Sequence, residues 1–108
     1  MSLASDLIRG STETIILAQL MNRDSYGYQI NKTIQEKTNQ EYELKEATLY
    51  SAFRRLEAGD YIVSYWGDEG SGARRRYYSI TTKGREYYRM RREEWQKSED
   101  MIDLLIGI

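Results

Sequence analysis

Residues 46–84 read Glu46-Ala-Thr-Leu-Tyr-Ser-Ala-Phe-Arg-Arg-Leu-Glu-Ala-Gly-Asp60, then Tyr61-Ile-Val-Ser-Tyr-Trp-Gly-Asp-Glu-Gly-Ser-Gly-Ala-Arg-Arg-Arg-Tyr-Tyr-Ser-Ile80, then Thr81-Thr-Lys-Gly84. Leu49, Phe53 and Leu56, with Ala52, fall on one face of a helix. Thr48, Ser51 and Arg55 fall at i, i+3, i+7 on its other side, flanked by Tyr50 and Arg54. Gly59 suits the C-terminal cap. A strand is predicted over Tyr61–Trp66, a tip over Gly67–Ala73, and a second strand over Tyr77–Thr81. Arg74, Arg75 and Arg76 lead from the tip into that second strand. A helix with a small polar outer face, followed at once by a hairpin with a basic rim, fits a winged helix-turn-helix. The expected fold class is α+β, mostly α.

Upstream, Ser11 or Thr12 can cap a first helix whose core face is Ile15, Ile16 and Leu20, with Glu13 in the first turn. Asn22-Arg-Asp24 is a polar break. Asp24 or Ser25 then caps a second helix in which Tyr26, Ile30 and Ile34 recur every four residues. Gly27 inside that helix costs about 1 kcal/mol relative to alanine, which points to close packing against a neighbour. Thr38-Asn-Gln40 ends it. Tyr42 and Leu44 read as a short extended piece, a candidate third strand beside the hairpin.

Downstream, Thr81 or Thr82 caps a long helix, a rod of about 35–40 Å at 1.5 Å per residue. Tyr88, Trp95 and Ile102 recur every seven residues, and Met101, Leu105 and Ile108 add a second apolar line. That helix is too long for so small a domain to bury. The expected organisation is therefore a DNA-binding unit over residues 1–80 and a dimerisation helix over 81–108, forming one compact unit. Tyr88, Trp95, Met101, Ile102 and Leu105 are the expected dimer contacts.

With 108 residues, 31% charged and 40% hydrophobic, the chain reads as one soluble, globular domain. No apolar run approaches the roughly 18 residues that span a bilayer. No basic-then-apolar leader stands at the N-terminus, which implies a cytoplasmic protein. The chain has no cysteine and no histidine. That excludes disulfides and thiolate chemistry, and it removes the usual zinc ligands and acid–base carrier. No metal or cofactor is expected. No paired carboxylates stand beside a nucleophile or a phosphate loop, so an enzyme is set aside. The net charge of −1 is unusual for a DNA-binding domain. Carboxylates, however, gather at residues 41–46 and 93–103, and arginines at 54–55 and 74–76, so one face can be basic.

A recognition helix needs small hydrogen-bonding groups that fit the major groove. Thr48, Tyr50 and Ser51 qualify, and Arg54 can reach a phosphate or a guanine edge. Arg55, followed by Leu56-Glu57, admits a structural ion pair as readily as a DNA contact. Gly67, Gly70 and Gly72 supply a flexible wing tip, and Arg74, Arg75 and Arg76 its cations. Alternation sends Arg75 to the face opposite Arg74 and Arg76. Trp66, Tyr77 and Tyr78 read as cross-strand packing. A competing reading is a protein-interaction module that docks an acidic partner on its basic hairpin.

Taken together, these segments resemble the PadR family of bacterial transcriptional regulators. The likeness rests on Ser25-Tyr-Gly-Tyr-Gln-Ile30, on Glu46-Ala-Thr-Leu-Tyr50 with Phe53-Arg-Arg-Leu-Glu57, on Ser64–Glu69 and Gly72–Tyr78, and on Ile80-Thr-Thr-Lys-Gly84. The chain departs from the pattern at Ser51, where proline is common, and at Lys45, which cannot cap a helix. The single short C-terminal helix is similar to the subgroup that contains multidrug-responsive repressors. The resemblance implies a homodimer on a pseudo-palindromic DNA duplex, acting as a repressor released by a small molecule. In that subgroup a tryptophan of the last helix stacks on planar aromatic ligands. Trp95 matches it, Glu99 matches an acidic residue that attracts cations, and Leu7 matches an apolar lining position. Arg91 and Arg92 depart from the subgroup, and Trp95, an aromatic at heptad spacing, reads first as packing in a dimer seam and only second as a ligand contact.

Overall fold

The computed structural model describes residues 7–68 and 74–107. A 3-10 turn, Arg9–Ser11, runs into helix α1, Thr12–Leu20. Strand β1, Ser25–Tyr26, precedes helix α2, Gly27–Lys37, and helix α3, Glu46–Ala58. Strands β2, Ile62–Asp68, and β3, Arg74–Ile80, form the hairpin, and helix α4, Thr82–Ile106, follows. The fold is mostly helical α+β, with one antiparallel sheet in the order β1-β3-β2. Among the described residues no helix is long and apolar enough to cross a membrane. Gly70, Gly72 and Ile108, singled out in the sequence, lie outside the described residues.

The apolar spacing of each helix fills one core. Ile16, Leu17 and Leu20 of α1, Ile30 and Ile34 of α2, and Leu49, Ala52, Phe53 and Leu56 of α3 are buried against Ile62, Tyr78 and Ile80 of the sheet. Phe53 stacks on Tyr78 with ring centroids 3.8 Å apart and planes 14° from parallel. That pair fixes α3 on the inner face of the hairpin. Full burial of one such side chain stabilises the fold by about 1.5–3 kcal/mol.

Several elements differ from the sequence expectation. Ser11 stands at the N-cap of α1 but makes no side-chain cap bond. Helix α2 begins later than its periodicity suggested. Ser25 and Tyr26 pair with Tyr78 and Tyr77 as the third strand, so neither Asp24 nor Ser25 caps the helix. The edge of β3 opposite β2 offers backbone hydrogen bonds, and these two residues take them. Residues 42–45 accordingly stay outside the sheet. Leu44 is instead held by Asn31, whose amide donates to Leu44 O and accepts from Leu44 N, both at 2.8 Å. One side chain thus satisfies the backbone as a neighbouring strand would.

Gly27 is the first residue of α2 and not an interior one, and its close packing is real. A β-carbon there would lie 2.8 Å from the Tyr50 hydroxyl and 3.3 Å from a Leu49 methyl. At the end of α3 the left-handed residue is Asp60, with φ 62°, while Gly59 has φ −87°. Asp60 N donates to Glu57 O and Tyr61 N to Leu56 O, the paired bonds of a Schellman end. Gly59 is needed for space, since a β-carbon there would stand 2.5 Å from the Tyr61 ring.

Thr81 caps α4 as expected, its hydroxyl accepting from Gly84 N at 2.9 Å and donating to Asp60 O at 2.7 Å. A β-carbon at Gly84 would lie 2.0 Å from the backbone oxygen of Tyr61. These contacts join α4 to the base of the hairpin. Beyond its first turns the helix projects, giving the molecule extents of 55 × 30 × 22 Å.

Candidate nucleic-acid interface

Helix α3 presents Thr48, Tyr50, Arg54 and Arg55 to solvent, with Ser51 half-buried between them. This outer face follows from the inner one: with Leu49, Ala52, Phe53 and Leu56 committed to the core, the intervening positions must point away. Lys45 sits at the N-cap without a side-chain bond, and Glu46 occupies the first turn. The Tyr50 ring lies across Gly27 and packs edge-on against Phe53, 5.5 Å between centroids. It therefore buttresses the junction of α2 and α3 while its edge stays exposed.

Arg55 has the structural partner that the sequence left open, but the partner is Glu13 rather than Glu57. Its Nε donates to Glu13 Oε2 at 3.0 Å and its Nη1 donates to Ser51 Oγ at 3.0 Å. The Tyr87 hydroxyl donates to the other Glu13 oxygen at 3.3 Å. Burial first, then the Glu13 charge, raises the Tyr87 phenol above its usual value. Glu13 thus joins α1, α3 and α4. Its placement in the first turn of α1 was legible; a contact 42 residues away was not.

The three arginines stand inside β3, not ahead of it, because the hairpin continues through Trp66↔Arg76, Gly67↔Arg75 and Asp68↔Arg74. They alternate as expected. Arg75 lies over the Tyr26 ring at 4.6 Å on the outer face, beside Tyr77 and Tyr65. Tyr65 donates to Asp24, and that bond, more than burial, raises its phenol above the usual value. Arg76 donates to Ser64 Oγ at 2.8 Å and lies 3.6 Å from Glu57 Oε2. Arg74 lies over Trp66 at 5.3 Å. Tyr77 and Tyr78 are packing residues, as read from sequence, whereas Trp66 stays 57% exposed.

A second feature lies between α1, the end of α2 and α4. It is a groove of about 810 Å³ lined by Leu7, Ile15, Ile34, Tyr42, Tyr88, Arg92, Trp95, Glu99 and Ile102, among others. Leu7 meets Trp95 and Glu99, one turn apart on α4, there. Arg92 lies 5.6 Å from the Trp95 ring centre, whereas Arg91 donates to Gly10 O at 3.0 Å. Of the apolar α4 residues picked from sequence, Tyr88 packs on the core, and Trp95, Met101, Ile102 and Leu105 are exposed. Leu104 and Ile106, which the seven-residue pattern missed, are also exposed, Leu104 at 82%.

A recognition helix set on a hairpin, with a long free helix behind, defines a winged-helix DNA-binding regulator. The sequence model of the transcriptional regulator PadR-like family matches residues 16–90. A transcriptional regulator from Clostridium thermocellum is 52% identical, over 92% of this chain and 96% of that one, with a TM-score of 0.83. A PadR family transcription regulator from Clostridium difficile is 33% identical, over 90% and 99% of the two chains, with a TM-score of 0.76. An uncharacterised protein from Lysinibacillus sphaericus is 42% identical over 102 residues, 94% of each chain. The chain belongs to the PadR-like family of transcriptional regulators. Its function is regulation of transcription through DNA, not catalysis, and a protein-docking module is not favoured.

Proposed function

We propose that the chain acts as a homodimeric repressor, joined through α4 and the N-terminal segment and released from a pseudo-palindromic operator by a small molecule. One observation carries this reading. A polar helix and a basic hairpin, Thr48 to Arg54 and Arg74 to Arg76, share one chain with a helix whose outer half exposes Trp95, Met101, Ile102, Leu104 and Leu105. Apolar side chains in such a row are covered in a working assembly. Two copies would set two α3 helices about 34 Å apart, one turn of duplex, which favours a palindrome. Thr48, Ser51 and Arg54 then read base edges, Tyr50 supports them, and the wing runs along the backbone.

The groove supports the release step. A planar aromatic molecule would stack on Trp95, displacing the Arg92 guanidinium or using the other ring face, with Glu99 at the rim. By linkage, a ligand that loosens the operator is itself weakened by the operator to the same factor. The test begins with selection of bound fragments from random duplex DNA, with and without a panel of planar aromatics. Intrinsic fluorescence of the wild type, Trp66→Phe and Trp95→Phe then locates the ligand. Quenching that persists in Trp95→Phe would overturn the ligand site, and a selection that recovers no symmetric fragment would overturn the paired-helix geometry.

A further inference from the structure

The three wing arginines look alike in sequence and are engaged differently in the fold. Arg75, on the outer face of the sheet, covers Tyr26 and so fastens β1 to the hairpin; its Nε is buried with no hydrogen-bond partner. Arg76 is tied through Ser64 and Glu57 to the C-terminal half of α3. Both guanidinium groups are engaged in holding the wing. Arg74 has no carboxylate partner among the described residues and instead lies over Trp66, 5.3 Å from the ring centre.

Trp66 pairs directly with Arg76, so Arg74 is its diagonal neighbour on the same face of the hairpin. The inner end of that face is Tyr78 and Ile80, buried against α3. Trp66 and Arg74 therefore continue the α3 side of the sheet past the end of the core. An indole left 57% exposed there packs little of the protein. A guanidinium over the ring face can still turn N–H donors toward two oxygens of a phosphate, and the contact limits the freedom that the long side chain would lose on binding.

We infer that Trp66 is a positioning residue that holds Arg74 toward a DNA phosphate beside the groove entered by α3, while Arg75 and Arg76 do not contact DNA. This rests on the DNA-binding reading and divides the wing within it. The experiment measures affinity against salt for the full chain and a fluorescein-labelled duplex recovered by selection from a random pool. Arg74→Ala should lower the salt slope by roughly 0.9 for each phosphate it no longer neutralises, one phosphate per subunit. Arg75→Met and Arg76→Gln, which keep the packing stems, should leave the slope unchanged. Trp66→Ala should weaken binding, Trp66→Phe should restore it, and Trp66→Ala with Arg74→Ala should bind no more weakly than Arg74→Ala alone. Multiplying effects in the double variant, or an equal fall in slope in Arg75→Met or Arg76→Gln, would overturn the inference. Salt-independent binding by the unaltered protein would instead strike the DNA-binding reading itself.

Discussion

In α1, α2 and α3 the residues that form the apolar faces, Ile16, Leu17, Leu20, Ile30, Ile34, Leu49, Phe53 and Leu56, are buried within the chain. Along α4 beyond Tyr88 the same residue types are uncovered: Trp95 is 47% exposed, Ile102 53% and Leu105 84%. The helical pattern is similar in both regions, so pattern alone does not say what covers an apolar face. In the first region the fold covers itself. In the second the chain has built a face that its own residues do not reach, and the groove beside it is continuous with that face.

The contrast is broken most severely from the closed side. Phe53→Ala removes the ring stacked on Tyr78 and leaves a cavity between α3 and the hairpin. The expected destabilisation is about 3–5 kcal/mol, a large share of the roughly 5–15 kcal/mol that holds a domain together. Thermal melts followed by circular dichroism should show it, and DNA binding should disappear along with the fold. A near-native melt would mean that the core does not depend on this stack.

Changing Ile102 and Leu105 to Asp together tests the open side. These side chains are already exposed within the chain, so the winged-helix body should keep its secondary structure. Sedimentation should show a monomer, and affinity for a palindromic duplex should fall by roughly 10²–10⁴ as the second half-site goes unoccupied. A double variant that still sediments as a dimer would remove α4 from the assembly.

The legibility of the sequence followed the same division. Helix α3, the hairpin, the Thr81 cap and the core set Leu49, Ala52, Phe53 and Leu56 were readable because each rests on local spacing and turn chemistry. The third strand was not, because Ser25-Tyr26 is two residues long and carries the same apolar rhythm as the helix that follows it. The candidate site was legible in its residue types but not in their engagement. Arg55, Arg75 and Arg76 were candidate DNA contacts. Their partners Glu13, Tyr26 and Glu57 lie on other elements, at separations that no window along the chain reports.

Glu13→Gln gives a smaller effect, at the junction of the two regions. The Arg55–Glu13 pair is exposed on the arginine side, 56% against 22%, so its contribution to stability should stay within about 1 kcal/mol. Its effect on recognition should be easier to see. The neutral amide would hold Arg55 less tightly, Ser51 would have a less fixed neighbour, and discrimination between operator variants should relax more than overall affinity. Binding of single-base variants by wild type and Glu13→Gln measures this; unchanged discrimination would confine Glu13 to packing.

The smallest expected effect is alkaline. Tyr78 is buried on Phe53, and burial raises its phenol above the ordinary tyrosine value of about 10; the nearby Arg76 charge acts in the opposite direction. A raised value in the folded state means that the fold holds the neutral phenol more tightly than the unfolded chain does. The contribution is complete below the unfolded value and is lost as pH rises through the folded one. Stability should therefore be flat with pH around neutrality and fall above about 10. Tyr78→Phe keeps the stacked ring and removes the ionisable group, so its melting temperature should match wild type near neutrality and exceed it at strongly alkaline pH. An equal alkaline loss in wild type and Tyr78→Phe would place the titrating group elsewhere in the fold.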